Sequence, residues 1–382
     1  MQKPNFMKFF CINKSLTLLL VIGLICNFAI ASANNQKFIS IKYEAETYYS
    51  YDELSHLLGQ LEAEYPEIFN YSTIGKTWEG REIWLVKISD NVDFEEEEKK
   101  VFFTGGMHGD EHQSYQVIIY SIRALVENYS TANVNNSFTE RVRNVINNTE
   151  LFFIPMLNPD GCEAGTRKNA RPNNCILGNT FLRGVDIARN SGYKWDLLDK
   201  YPFNYRRSGF PPVFEKSNIK CPILDFRSII GEGAYRGPYP FSEPESQAIK
   251  QVLENHSISL FMDYHSSGNY IGYGWAWNHE IALPQESLML SIAENISCIA
   301  ECELKRGTWA PILGNMRDWI LAEYGTPAFV MELPTTMGNR PLRDMLHGNK
   351  RPLPWKNKPI LEICKTHVNV NLYFAERAID LI

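Results

Sequence analysis

Between Val101 and Glu111 the chain reads Val-Phe-Phe-Thr-Gly-Gly-Met-His-Gly-Asp-Glu. Val101–Thr104 is a short apolar run of the kind that forms a buried strand, and Gly105-Gly106 breaks it. The turn beyond carries an imidazole, His108, and a carboxylate, Glu111, three positions apart. In open α/β sheets ligands bind at the carboxyl ends of the strands. An imidazole and a carboxylate meeting there make up half of a catalytic zinc site of the two-His, one-Glu type. His265, in Phe-Met-Asp-Tyr-His-Ser, and Glu332, in Ala-Phe-Val-Met-Glu-Leu-Pro, stand at similar strand ends further along. They offer the third ligand and a general base. His-x-x-Glu alone recurs in many unrelated proteins; what strengthens it is that all four groups would share one edge of a parallel sheet. The other histidines (His56, His112, His256, His279, His347 and His367) fall on helices, in loops or beside helix ends.

The elements that must hold these groups follow from periodicity. Leu54, Leu57, Leu58 and Leu61 give Tyr51–Ala63 an amphipathic helical pattern. Ile83–Ile88 and Val101–Thr104 read as strands around an acidic turn, and a helix spans about Gln113 to Glu127. A further helix runs through Val142 and Ile146, and strand Leu151–Met156 ends at the turn Asn158-Pro159-Asp160-Gly161. Gly165–Arg183 reads as an irregular loop, and Lys194–Phe241 has no assignable period. A helix over Glu243–Leu253 opens at a Ser242 cap with Pro244 behind it. Strand Ser259–Tyr264, helix Gln285–Ala300, strand Ala328–Leu333 and a closing helix from about Leu361 complete the pattern. Strands alternating with helices indicate an α/β fold: a single domain with a mixed, mostly parallel twisted sheet covered by helices on both faces.

The 382 residues are 44% hydrophobic and 21% charged, as in a folded globular chain. A net charge of −6 gives no reason to expect nucleic acid or an anionic membrane as partner. Lys3, Lys8 and Lys14 precede the apolar run Leu16–Ala31, and Ala31-Ser32-Ala33 follows. This is the layout of a secretory signal over residues 1–33, with a short segment 34–45 and the catalytic domain 46–382 behind it. The expected location is therefore secreted. The alternative is a retained membrane anchor, for which the run is short and interrupted by Asn27. With the signal cleaved, no stable membrane association is expected. Cys162, Cys175, Cys221, Cys298, Cys302 and Cys364 remain, and Cys162 with Cys175 is the favoured pairing, set against buried free thiols throughout. Sequons at Asn70, Asn128, Asn135, Asn147, Asn255 and Asn295 suit an exported surface.

From about Tyr48 onward the chain resembles the zinc metallocarboxypeptidases, the group that includes carboxypeptidases A, B and T. The resemblance is carried by Ile74-Gly-Lys-Thr-Trp-Glu-Gly-Arg81, His108-Gly-Asp-Glu111, Asn158-Pro-Asp-Gly161, Arg167-Lys-Asn-Ala-Arg171 and Gly184-Val-Asp-Ile-Ala-Arg-Asn190. Tyr235-Arg-Gly-Pro-Tyr-Pro-Phe-Ser-Glu-Pro-Glu245, His265-Ser266 and Asp318-Trp319, fourteen residues before Glu332, extend it.

The resemblance implies one zinc ion per chain, held by His108, Glu111 and His265 with a fourth position left for water. Glu332 would be the general base, and Asp186 would hold the back nitrogen of the first zinc histidine. Arg171, eighteen residues before Arg189, matches the arginine that steadies the oxyanion. In some relatives that arginine stands one position earlier, where this chain has Ala170, and Arg167 is then the alternative. Arg189, with Asn190, would bind the substrate's terminal carboxylate. Two family features are missing: position 188 is Ala where an asparagine is usual, and the mobile tyrosine's place is Ala310, beside Trp309, which would close the site. Arg317 matches the base of the side-chain pocket and implies a preference for C-terminal Glu or Asp.

These residues lead to a secreted zinc metallocarboxypeptidase acting on peptide or protein C-termini. The same metal chemistry on another amide, such as a cell-wall peptide, is the alternative, and a catalytically silent binding module is a third. The short stretch before the match and the roughly fifty residues after Glu332 lead us to expect neither a folded pro-segment nor an added β-domain.

Overall fold

The computed structural model describes residues 48–130, 136–172, 184–196, 235–266, 268–307, 312–334 and 358–381. The proposed signal, the segment 34–45, Cys175, Cys221, Trp309 and Ala310 lie outside these residues.

The chain begins with α1 (Tyr51–Glu64), whose first turn is closed by a capping box between Ser50 and Glu53. Strands β1 (Phe69–Lys76) and β2 (Glu82–Ile88) form an antiparallel pair. Then come β3 (Lys99–Thr104), α2 (His112–Tyr129), α3 (Ser137–Ile146), β4 (Thr149–Ile154) and the short α4 (Pro159–Ala164). A 3-10 turn, Ile187–Arg189, is followed by α5 (Pro244–Asn255), β5 (Ile258–Ser266) and β6 (Tyr270–Tyr273). The remaining elements are α6 (Glu286–Ala300), β7 (Glu303–Arg306), α7 (Met316–Tyr324), β8 (Ala328–Leu333) and α8 (Lys358–Ile379).

All eight strands join one sheet in the order β1-β2-β4-β3-β5-β8-β6-β7. The centre is parallel: β4 with β3, β3 with β5, and β5 with β8. The antiparallel pairs lie toward the two sides. Successive residues of a strand point to opposite faces, and the core divides accordingly. Val101 and Phe103 pack with α1, α2, α3, α6 and α8 on one face, while Phe102 packs with α5 and α7 on the other. Both faces are covered, which is why the central strands read as continuous apolar runs. Among the described residues no helix is long and apolar enough to cross a membrane.

This topology makes β3, β5 and β8 adjacent and parallel, so their carboxyl ends share one edge. Two other parts differ from the sequence expectation. Ser242 is not the cap of α5: Glu243 occupies that position, and the Ser242 hydroxyl donates instead to the Glu243 carboxylate at 2.6 Å. The Asn158-Pro-Asp-Gly turn opens α4, with the Asn158 side chain accepting from Gly161 N and Pro159 in the first turn.

Candidate metal centre

Beyond β3 the chain turns through Gly105-Gly106 and is tied down at once. Gly106 N donates to Ser114 Oγ at 3.0 Å, and that hydroxyl donates to the Glu111 carbonyl at 2.7 Å. The turn packs against the start of α4 so closely that a Cβ on Gly109 would stand 2.0 Å from the carbonyl carbon of Gly161. No side chain fits there, and the backbone approach fixes His108 and Glu111. Asp160 anchors the neighbouring loop of the Lys76–Arg81 motif: it accepts from Thr77 Oγ1, Glu79 N and Arg81 Nη1 at 2.8, 3.0 and 2.6 Å.

His265 stands near the end of β5, level with Glu332 on β8. The fold thereby brings His108, Glu111 and His265 together. Nδ1 of His108 lies 2.9 Å from Glu111 Oε1, Nδ1 of His265 lies 2.9 Å from Glu111 Oε2, and the two Nδ1 atoms are 3.0 Å apart. Glu111 Oε2 also accepts from Ser266 N at 3.0 Å. Both imidazoles are buried.

The donor set fits a zinc ion. Behind each ring a carboxylate holds the other nitrogen: Asp186 Oδ1 at 3.0 Å from His108 Nε2, and Asp263 Oδ2 at 2.7 Å from His265 Nε2. An ionised carboxylate only accepts, so with a cation on the Nδ1 side the proton of each ring would sit on Nε2 and the Nδ1 lone pair would point inward. Two lone pairs and a carboxylate then converge, an arrangement that repels itself unless positive charge lies between them. Ligands at 2.0–2.1 Å in a tetrahedral zinc site stand about 3.3 Å from one another, close to the separations present. Burial lowers the proton affinity of His265, but Asp263 and Glu111 outweigh it and raise its pKa well above the usual value. The site draws in positive charge.

Asp186 has no exposed surface and does more than hold His108. Its carboxylate accepts from Arg167 Nε at 3.1 Å, Ala188 N at 3.2 Å and Arg189 Nη1. Burial pushes its pKa up, but Arg167, Arg189 and His108 overcome that and keep it well below the usual carboxylate range. Glu332 behaves in the opposite way. Burial raises its pKa, Glu111 adds to the rise, and His265 and His108 oppose it.

The residues expected to face a substrate divide. Arg167 reaches the metal trio, with Nη1 3.1 Å from Glu111 Oε1. Arg171 instead pairs with Glu243 at 2.7 Å and lies over the Trp78 ring. Asn169 binds Glu243 and Glu245 and steers this loop toward α5. Arg189 lies beside Asp186. Asn190 is fully buried and its amide is used within the protein: it donates to Arg236 O at 2.7 Å and accepts from Ser246 Oγ at 2.6 Å and Glu243 N at 3.2 Å. It is a scaffold residue in this structure, not a group turned to a ligand. Arg317 points inward and is 3% exposed; its Nε and Nη1 have no hydrogen-bond partner among the described residues. Asp318 beside it holds the turn Ala276-Trp277 through both backbone N–H groups. His112 sits apart from the trio, its Nδ1 on the Asp110 carbonyl.

Asp263 escaped the sequence reading, although a signal exists: an acid two residues before a histidine on a strand shares its face. The cysteine pairing also changes. Cys162 is a buried free thiol, as is Cys364, and Cys302 is free, whereas Cys298 is disulfide-bonded. Cys162 lies against the tight Gly106 turn, with its sulfur 3.8 Å from the Gly106 carbonyl.

Comparison with known proteins agrees with the site. The zinc carboxypeptidase family profile matches residues 54–347. Carboxypeptidase B of Astacus astacus is 23% identical over 306 residues, covering 76% of this chain and 87% of that protein. A zinc carboxypeptidase of Saccharothrix mutabilis subsp. capreolus is 31% identical over 156 residues, covering 39% of this chain and only 33% of its own length. The crystal structure of carboxypeptidase A from Helicoverpa armigera superposes with a TM-score of 0.65 at 21% identity, covering 95% of this chain and 81% of that one, which establishes a shared fold. The chain belongs to the zinc carboxypeptidase family, a family of metal-dependent hydrolases.

If Asp186 orients His108, Asp186→Asn lowers zinc affinity about 10–100-fold in a chelator competition titration. Unchanged affinity would show that the contact behind His108 has no part in metal binding.

Proposed function

We propose that this protein is an exported zinc carboxypeptidase that releases C-terminal residues from peptides and prefers acidic ones. The observation that carries the reading is the convergence of His108, Glu111 and His265 with Glu332 in register beside His265. His108, Glu111 and His265 would hold the metal, which when bound supplies a Lewis acid for the scissile carbonyl and the attacking water. Glu332 takes the water's proton and returns it to the leaving amine as the C–N bond breaks. Its raised pKa suits a group that must both accept and release that proton. Arg167, hydrogen-bonded to Glu111, is the arginine best situated to donate to the developing oxyanion.

The preference for acidic residues rests on Arg317. Burial lowers its pKa, and Asp318, Tyr270, Asp263 and Glu332 favour its charged form. A buried guanidinium with two unpartnered nitrogens suits a substrate carboxylate. Arg189 is the remaining candidate for the terminal carboxylate, although Asp186 already engages it and Ala188 supplies no amide. That arrangement favours, as a second reading, an amide substrate whose carboxylate is held elsewhere. Export is supported by the signal-like amino terminus and by the disulfide at Cys298.

Glu332→Gln should lower kcat about 10²–10⁴-fold on a peptide ending in Glu while zinc stays bound; a fully active variant refutes the assignment of the base. Amidating the peptide's C-terminus should abolish cleavage, and undiminished cleavage would favour the second reading. Among peptides ending in Glu, Leu or Lys, the wild type should prefer Glu, and Arg317→Asp should shift kcat/KM toward Lys by at least about tenfold, or roughly 1.4 kcal/mol. An unchanged rank order removes Arg317 from the pocket. Amino-terminal sequencing of secreted protein should begin near Asn34, and an intact Met1 in the membrane fraction would contradict export.

A further inference from the structure

Tyr270 is used by none of the steps above. It lies on β6, directly opposite Glu332 of β8 in the antiparallel register, and is 6% exposed. Its phenol lies close to the Glu332 carboxylate. The surrounding sequence makes room for the ring on both sides. A Cβ on Gly268 would fall 2.7 Å from Tyr270 Cε1 and 2.9 Å from the Glu332 Cβ, and one on Gly272 would fall 3.2 Å from Tyr270 Cε2. A side chain at Gly268 would force the ring away from Glu332. Lys305 of β7 covers the ring, its Nζ 4.1 Å from the centroid.

We propose, on the basis of the carboxypeptidase reading, that Tyr270 is a positioning residue for Glu332: its hydroxyl donates to one carboxylate oxygen and leaves the other to take the proton of the attacking water. Three physical points support this. A glutamate has three side-chain torsions, and a base held in one rotamer meets the water more often than one that wanders. Burial, together with the neighbouring Glu332 carboxylate, raises the Tyr270 pKa, so the phenol keeps its proton and remains a donor. Arg317 also lies close by; the Cβ built on Gly272 would be 3.0 Å from its Nη1. A buried guanidinium with unpartnered N–H groups would draw in a mobile carboxylate, and the phenol keeps Glu332 facing the histidines instead. The phenol also belongs to β6, a different segment from the absent mobile tyrosine at position 310.

The test uses purified, zinc-loaded full-length protein and a peptide ending in Glu. Tyr270→Phe should lower kcat about tenfold, the scale of a lost hydrogen bond to a charged group, with KM within about twofold. Bound zinc and the melting temperature should match the wild type. Combined with Glu332→Gln, Tyr270→Phe should cost nothing further, because the hydroxyl acts through that carboxylate. Active wild type with a Tyr270→Phe kcat within about twofold of it overturns the role of Tyr270 alone. So does an equal drop in the Glu332→Gln background, or a drop that appears in KM. Zinc-loaded wild type that leaves the peptide intact overturns the carboxypeptidase reading and this proposal with it.

Discussion

One buried carboxylate organises the site. Asp186 touches the back of His108 and the guanidinium groups of Arg167 and Arg189, so a candidate metal ligand and two arginines share a single acceptor. A lone buried carboxylate would be costly. Here three partners surround it and hold it ionised, and its charge in turn sets the tautomer of His108. Removing either arginine therefore changes the histidine as well as the arginine's own contact.

The same logic extends across the edge of the sheet. Asp263 plays the corresponding part for His265 and is itself fixed by Thr104 of β3, whose hydroxyl donates to it at 2.6 Å. Glu111, Asp186, Asp263 and Glu332 outnumber Arg167, Arg189 and Arg317, which leaves negative charge in excess where the two imidazoles meet. A divalent cation would offset that excess. The adjacency of β3, β5 and β8 is what lets groups from three distant parts of the chain share one field.

The sequence carries the groups attached to regular structure most plainly. His108, Glu111, His265 and Glu332 are legible because each stands at the carboxyl end of an apolar strand or just past it, and parallel strands end on a common edge. Arg171 was favoured over Arg167 by spacing alone. Between them the chain has no periodicity, and the choice is made by Asn169 and Glu243, which draw Arg171 toward α5. Asn190 looked like a ligand group because it adjoins Arg189, yet its neighbours in space, Arg236, Glu243 and Ser246, come from a stretch remote in sequence. In the fold, β1, β6 and β7 went unread. The first is polar for most of its length, the second is four residues with an internal glycine, and the third is Glu-Leu-Lys-Arg at the sheet margin. Strands that are polar or only four residues long take their conformation from pairing partners, not from local preference.

Two imidazoles and one carboxylate from the ends of β3 and β5 are proposed to enclose a single metal ion. X-ray absorption and anomalous diffraction on zinc-loaded protein test it directly. The expected result is one zinc per chain, with two nitrogen donors and one carboxylate at about 2.0–2.2 Å, located between His108, Glu111 and His265. Zinc bound elsewhere, or a protein that binds none while His108 and His265 keep their present separation, would contradict it.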